Sequence, residues 1–340
     1  MRSKSTLSSK ILVTGASGFI GRAVVAELSE KGKSVIAMVR RPEQAGLFAN
    51  YKTVSTIIAD VNNLASLTSA TQDVDTVIHL AGVVWGGQAG MHRVFVEGTQ
   101  NLIHAMHQAS ATQLILVSSI SVYDWSKATK TLTESSPIIQ GESNEQGAYS
   151  QAKAQQEAIA RKLCEKYDIN LTVIRPGAVF SPEKIDAADI GPRIGFLQFV
   201  VAPQRTLRTI HIKFIAEALS LASSVALPNG LTINLVNDDR MTAWDFSRYI
   251  RSASKSMCWI IPIPSVLIML IAKLAYTLAK LVGHEHQLPS LLCPSQVSSR
   301  FKSVSFDNAC WRKYLPSSSP RPLKDMLIES LPSKNINTSE

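Results

Sequence analysis

Tyr149 and Lys153 stand four residues apart in the stretch GAYSQAK. At that spacing two side chains share one face of a helix, and the helix predicted here runs on to Tyr167. A tyrosine hydroxyl, with a pKa of about 10, is a weak base at neutral pH, but an ammonium a few ångströms away favours its phenolate. The pair therefore has the make-up of a proton donor and acceptor with a tuned pKa. The stretch LVSSISVY adds hydroxyls at Ser118, Ser119 and Ser121 where an apolar strand ends, and a serine there could hydrogen-bond a substrate carbonyl. Taken singly, such a Tyr and Lys make a solvated helix face and such serines make a strand-end turn. The chemistry rests on their occurring together behind a third motif.

That motif is ILVTGASGFIG, residues 11 to 21, in which an apolar run breaks at Gly15 and passes into the helical pattern Phe19 to Leu28, with Gly18 and Gly21 following at three-residue steps. A strand, a tight turn and a helix N-terminus aim backbone N–H groups at one point, and that point suits a phosphate. Further apolar runs at 34 to 39, 55 to 59, 76 to 80, 114 to 118 and 171 to 175 alternate with helical stretches. The fold class expected is therefore α/β, a doubly wound parallel sheet with helices on both faces and a smaller C-terminal lobe. The first domain is expected to span 1 to 175, with a frayed tail at 1 to 10. A substrate lobe at 176 to 330, able to return elements to the sheet, and a tail at 331 to 340 complete the chain. In such sheets ligands bind at the carboxyl edge, where Ser119 lies.

The 340 residues, 45% of them hydrophobic, suffice for a large buried core and exclude a disordered chain. A net charge of +9 fits an anionic small molecule, a nucleic acid or an acidic membrane surface, but no run of Lys and Arg marks a nucleic-acid arm, so no nucleic-acid partner is expected. Cys164, Cys258, Cys293 and Cys310 lie far apart with no ligand spacing, so neither a metal site nor a disulfide framework is indicated and a cytoplasmic setting is the default. The start, MRSKSTLSSK, lacks the apolar stretch of a secretory signal. Residues 260 to 282, IIPIPSVLIMLIAKLAYTLAKLV, approach the length of a membrane span. Two prolines shorten the usable helix, and Lys273 and Lys280 share one face. A largely buried core helix is expected, with peripheral membrane contact as the alternative.

The chain resembles the short-chain dehydrogenase/reductase superfamily in its extended, epimerase/dehydratase-like branch from about Ile11 to Leu327. The matching motifs are TGASGFIG at 14 to 21, Asp60-Val61, HLAG at 79 to 82, EGTQNL at 97 to 102, SSISVY at 118 to 123, YSQAK at 149 to 153 and RPGAVFSP at 175 to 182. The resemblance implies a Rossmann-type domain and an oxidoreductase. It makes Tyr149 the acid/base, Lys153 the residue that lowers its pKa and holds the nicotinamide ribose, and Ser119 the group that polarises the reacting carbonyl. It places a dinucleotide against Gly15, Ser17, Gly18, Phe19, Ile20 and Gly21, with Asp60 and Val61 by the adenine, Ala81 and Gly82 along the cofactor, and Pro176 near it; no metal is implied. The second strand ends in Arg40-Arg41 where an acidic residue would hold the ribose of NAD, so NADP is the expected cofactor, with Arg40 on its 2′-phosphate and NAD as the alternative. A homodimer through two helices of the sheet domain is compatible with the resemblance.

Three departures stand out. An Asn commonly precedes the V-x-G-T run in extended members, and Phe95 occupies that place here. A usual H-V-D-D-like segment appears as His211-Ile212-Lys213-Phe214, with His211 read as structural, and GVVWGGQAG at 82 to 90 reads as a substrate-covering loop or a surface turn. The leading expectation is a 4-keto reductase or C4 epimerase of a nucleotide-activated sugar in surface-polysaccharide synthesis. A closing segment at 305 to 327 that resembles the end of such enzymes supports it, and Arg193, Arg205, Arg208 and Arg300 are candidates for the diphosphate. The alternatives are a reductase of hydroxysteroids or other hydrophobic ketones, and a non-catalytic nucleotide-binding scaffold.

Overall fold

The computed structural model describes residues 9–83, 87–141, 147–181, 184, 190–239, 241–253, 259–284, 288, 292–318 and 322–330. The tails at 1–8 and 331–340, Trp85, Pro182 and Cys258 lie outside these residues. The first half alternates β1 (Lys10–Thr14), α1 (Phe19–Glu30), β2 (Ser34–Val39), β3 (Val54–Ile58), α2 (Leu64–Ala70), β4 (Thr76–His79), α3 (Gly87–His92), α4 (Gly98–Ala109), β5 (Gln113–Val117), β6 (Thr131–Leu132), α5 (Ala148–Lys166) and β7 (Asn170–Pro176). The second half runs through β8 (Ala178–Phe180), β9 (Arg193–Ile194), β10 (Leu197–Val201), β11 (Thr209–His211), α6 (Ile212–Ala222), β12 (Leu231–Leu235), α7 (Ala243–Ala253), β13 (Trp259–Ile263), α8 (Ser265–Leu281), α9 (Pro294–Phe301), β14 (Ser305–Phe306), α10 (Ala309–Tyr314) and α11 (Leu323–Ser330).

Seven strands form one parallel sheet in the order β12-β7-β5-β4-β1-β2-β3. Strands this buried carry apolar side chains on both faces, and β4 is buried at all four positions. Two large clusters result, one with α1 and α6 around Ile11, Val13, Ile115 and Ile233, the other with α2, α4 and α5 around Leu12, Val77, Leu114 and Leu171. Strand order reverses between β1 and β4, which opens the crevice where a doubly wound sheet takes its ligand. The doubly wound α/β class expected from the alternation is the one found.

A three-stranded sheet, β13-β10-β9, and the helices α7, α8 and α9 build the smaller lobe around two modest clusters, one centred on Phe180 and Phe246 and the other on Ala272, Val297 and Phe301. In the His211–Phe214 departure, the His211 ring caps α6 by accepting from the Lys213 N–H at 3.2 Å, and Phe214 is buried in the main core. One expectation fails. The segment 260 to 282 is not a core helix, because Ala272 is the one buried residue of α8, and Val266, Leu267, Leu270, Ile271, Leu274, Leu278 and Leu281 stand exposed. Among the described residues no helix is long and apolar enough to cross a membrane. Residues 87 to 90 are not loop either, since they open α3.

The helix that carries Tyr149 and Lys153 is fastened to the sheet by a buried ion pair. Arg175 on β7 donates from Nε and Nη2 to the two carboxylate oxygens of Glu157 on α5, at 2.9 and 2.6 Å. Burial works against the Arg175 charge, but the Glu157 hydrogen bonds outweigh it and hold the guanidinium above its ordinary value. The guanidinium also covers the Tyr123 ring at 4.9 Å, and Tyr123 donates its hydroxyl to Asn234 Oδ1 on β12 at 2.6 Å. Removing one charge leaves the other buried and unmatched. Glu157→Gln should cost about 3 kcal/mol of folding stability, read as a lower urea midpoint; a change below about 1 kcal/mol would show that α5 is held by packing alone.

Candidate active site

Every sheet strand near the switch point ends in a residue of the candidate site. After β1 the chain turns at Gly15, φ +66°, where a Cβ would lie 2.8 Å from the Leu80–Ala81 backbone. A side chain at Gly21 would fall 2.2 Å from the Gly15 carbonyl oxygen, so the first turn of α1 can sit on the loop only without one. The resulting cleft is lined by Gly15, Ser17, Gly18, Arg40, Asp60, Val61, Ala81 and Gly82. Phe19, Ile20, Gly21 and Pro176 do not line it. Ile20 packs on the core, Gly21 closes the loop from behind, Phe19 lies under the Lys184 ammonium at 4.8 Å, and Pro176 is buried at the end of β7. Met38, Asn62, Leu80, Val83 and Val94 also line the cleft, and sequence reasoning missed them.

These residues fit a dinucleotide. The N-terminus of α1 and the side-chain-free turn face an anion, and no side chain fills the cradle. Asp60 keeps one oxygen engaged, Oδ1 accepting from the Asn62 backbone and side chain at 2.9 and 3.0 Å, and leaves Oδ2 for the base end of the cleft. The Val61 carbonyl accepts from Asn101 at 3.0 Å, and a Cβ on Gly98 would meet the Val61 side chain at 2.8 Å, so α4 fixes this wall. Arg40 is exposed at the mouth and lines the cleft, whereas Arg41 turns away toward Glu43 at 3.9 Å.

Ser119, Tyr149 and Lys153 come together at the carboxyl edge of β5. The Ser119 hydroxyl oxygen accepts from the Ser121 N–H at 3.1 Å, which leaves its proton to donate to Tyr149. Burial pushes the Tyr149 hydroxyl up to about 12 against that bond, so the tyrosine holds its proton at neutral pH. Lys153 is pushed down to about 7 by burial, opposed by the Glu157 carboxylate. Burial, opposed by the Ser119 hydrogen bond, sets the Tyr149 shift, and the Lys153 Nζ faces other groups. The ammonium is turned to the Val117 carbonyl at 2.8 Å and to Gln156 Oε1 at 3.0 Å instead. Ser118 and Ser121 hydroxyl oxygens are buried with no partner among the described residues.

Phe95 explains much of this dryness. It sits on a π-helical turn, Arg93–Glu97, between α3 and α4, with its ring edge-on to Tyr149 at 5.7 Å and under the Lys153 ammonium at 4.5 Å. A π-turn widens the helix and re-aims a side chain, and the side chain here covers both titrating groups. Behind it a polar chain is closed. Gln156 Nε2 donates to Thr99 Oγ1 at 2.9 Å, and Thr99 donates to the Phe95 carbonyl at 2.6 Å. Thr99 must then also accept from His79 Nε2 at 3.0 Å, and His79 Nδ1 accept from Thr14 Oγ1 at 2.7 Å. Burial, with Lys153 second, holds His79 down at about 3, so it is neutral throughout.

A second group gathers on the lobe side. Of the four arginines singled out from sequence, Arg205 and Arg300 lie over the Phe301 ring of α9 at 5.3 and 5.9 Å, and Arg208 lies over Trp125 at 4.3 Å while donating to the Ser299 and Arg300 carbonyls. Arg193 stands apart on the exposed β9. Helix α9 also reaches the start of α5, because Gln296 lies 3.6 Å from the position a Cβ on Gly147 would take.

Comparison with known proteins agrees with this geometry. A 3-beta-hydroxysteroid dehydrogenase of Mycolicibacterium neoaurum is 32% identical over 122 residues, 33% of this chain and 32% of that protein. A dTDP-4-dehydro-6-deoxy-D-allose reductase of a Streptomyces species is 27% identical over 184 residues, 51% of this chain and 56% of that one. The chain thus spans about a third and about half of the length of these two curated relatives. The solved structure of MoeE5 in complex with UDP-glucuronic acid and NAD shares the fold at TM-score 0.71 and 20% identity, over 95% of this chain and 97% of that one. Residues 11–193, which carry the glycine turn, Phe95, Ser119, Tyr149 and Lys153, match the model of the NAD dependent epimerase/dehydratase family, and the chain belongs to that family.

Proposed function

We propose that the protein is an NAD(P)-dependent oxidoreductase that reduces the 4-keto group, or epimerises C4, of a nucleotide-linked sugar in surface-polysaccharide synthesis. The observation that carries the reading is the placement of α9. It gathers Arg205 and Arg300 at Phe301 and Arg208 at the Ser299 and Arg300 carbonyls of a helix whose Gln296 abuts the start of the Tyr149 helix, so a diphosphate held by the lobe would leave its sugar toward Tyr149. The dTDP-sugar reductase relative and the UDP-glucuronic acid complex of MoeE5 support the same substrate class. A second reading, reduction of a hydrophobic ketone, is favoured by the steroid dehydrogenase relative and by a cavity of about 960 Å³ whose walls include Pro264, Val266, Met269, Leu270 and Phe301.

The nicotinamide dinucleotide supplies the hydride when bound, held by the Gly15–Gly18 turn, Asp60, Val61, Ala81 and Gly82. Tyr149 Oη delivers the proton to a carbonyl oxygen, and its raised pKa makes the protonated form the resident one, which is the form reduction needs. Ser119, held by the Ser121 N–H, is oriented to share its hydroxyl between Tyr149 and that oxygen. Lys153 steadies the phenolate left behind when it carries its proton.

Assay of the purified chain with NADH and NADPH against UDP- and dTDP-4-keto sugars and a 3-keto steroid panel is expected to give turnover with a nucleotide sugar. Turnover with steroids alone would replace the leading reading by the second. Tyr149→Phe should lower kcat by roughly a hundredfold or more while leaving cofactor affinity near wild type; retention of most activity would remove Tyr149 from the chemistry.

Arg40 at the cleft mouth supports a preference for NADP(H). Arg40→Ala is expected to weaken NADPH binding by roughly tenfold, about 1.4 kcal/mol, and NADH binding little. Equal losses for both cofactors, in paired fluorescence titrations, would contradict it.

The buried Lys153 supports a pH signature. Its pKa is about 7 in the fold and about 10 unfolded, so the unfolded chain binds the extra proton between those values and stability rises with pH across that window. Compared with Lys153→Met, the wild type should gain up to about 1.4 kcal/mol per pH unit from pH 7 to 9, read from urea titrations at both pH values. A constant difference would mean that the ammonium stays charged in the fold.

A further inference from the structure

The 17-residue helix α8 has two apolar faces, and the fold uses only one. Ile268, Met269 and Ala272 pack with Val297 and Phe301 of α9. On the other side Val266, Leu267, Leu270, Ile271, Leu274, Leu278, Leu281 and Val282 are 44 to 78% exposed. At 100° per residue these eight fall within roughly 160° of arc, a single continuous stripe. Eight exposed aliphatic side chains in one stripe form a contiguous apolar patch of the kind that marks an interaction site, unlike singly scattered surface residues. Lys273 and Lys280, seven residues apart, run along one flank of the stripe with Tyr276 beside them, and both lysines are exposed. From Trp259 to His284 the sequence contains no Asp or Glu, so nothing on the helix offsets its positive flank.

We propose that α8 docks the protein on the surface of an anionic phospholipid bilayer, lying parallel to the membrane with the aliphatic stripe among the acyl chains and Lys273 and Lys280 at the headgroups. The arrangement is that of an interfacial helix, in which apolar area gives affinity, long lysine stems keep their charges at the interface and a tyrosine marks its level. Spanning is excluded by length and packing. Seventeen residues reach roughly 25 Å, less than the roughly 30 Å hydrocarbon core, and Ala272 is buried against α9. A second copy is the weaker occupant, because a two-fold contact through α8 would set lysine flank against stripe or lysine flank with no acid on the helix to meet it. The overall charge of +9 favours the same anionic surface. The proposal does not depend on which substrate the active site takes.

The test is flotation of the full chain with vesicles of phosphatidylcholine alone and of phosphatidylcholine and phosphatidylglycerol in roughly equal amounts. Wild type is expected to float with the anionic vesicles and far less with the neutral ones. Leu274→Glu/Leu278→Glu, two exposed positions in mid-stripe, should reduce flotation by about tenfold or more while circular dichroism and NADPH binding stay as in wild type. Lys273→Glu/Lys280→Glu should abolish the preference for phosphatidylglycerol. Absence of flotation with either vesicle, or equal flotation of folded Leu274→Glu/Leu278→Glu, would overturn the proposal. So would a dimer in sedimentation analysis that the same leucine variant dissolves, since the occupant would then be a second copy.

Discussion

The structure turns on a run of buried hydrogen bonds from Lys153 through Gln156, Thr99 and His79 to Thr14. After the first link, which lies within α5, the links cross from α5 to α4, α4 to β4 and β4 to β1, and Thr14 in turn accepts from the Leu80 and Ala81 N–H groups at 3.2 Å. Burying five polar side chains is tolerable only because every donor has an acceptor, and that requirement leaves His79 one tautomer and one charge state. The same requirement ties Lys153 to the residue before Gly15. The Gly15–Gly18 loop and the Tyr149 helix are therefore positioned by one network, and neither can shift without leaving a buried group unpaired.

Phe95 closes this network where the extended family commonly has Asn. Its ring covers Tyr149 and Lys153 and offers neither a proton nor a water site, so burial rather than charge sets both pKa values, the tyrosine rising and the lysine falling. The two shifts have the same origin, since each disfavours the charged form. Around the buried Tyr149 and Lys153 a fixed hydroxyl acts more strongly than in water. The intact set of Ser119, Tyr149 and Lys153 beside a cleft that fits a dinucleotide leaves little support for a scaffold without turnover.

Much of the sheet domain was legible because its signals are local. A four-residue step puts Tyr149 and Lys153 on one helix face whatever surrounds them, and Gly15 and Gly21 record contacts made within a single strand-turn-helix unit. Met38 and Val94 were not legible, because they reach the cleft only through the order in which β2 and the π-turn are laid beside β1. The proximity of Gln296 to Gly147 joins residues about 150 apart, and no spacing rule covers it. Helix α8 was misread for another reason. Apolar periodicity reports that a face needs a partner but not whether the fold supplies it, and α8 carries apolar residues over more of its circumference than α9 can cover.

The two lobes differ in how they are held. The sheet domain rests on two large apolar clusters and the Arg175–Glu157 pair, while the lobe rests on the Phe180–Phe246 and Ala272–Phe301 clusters, each of a few buried side chains. Local stability follows buried apolar contact, so the lobe is the part that opens at least cost. Arg208 and Lys302 both stitch them together, the Arg208 guanidinium stacked on Trp125 of the sheet domain and bonded to backbone carbonyls of α9, and the Lys302 ammonium at the end of α9 donating to the Trp125 and Ala128 carbonyls at 3.1 and 2.9 Å. The seating of α9 on the sheet domain thus rests in part on two cations bonded to backbone carbonyls.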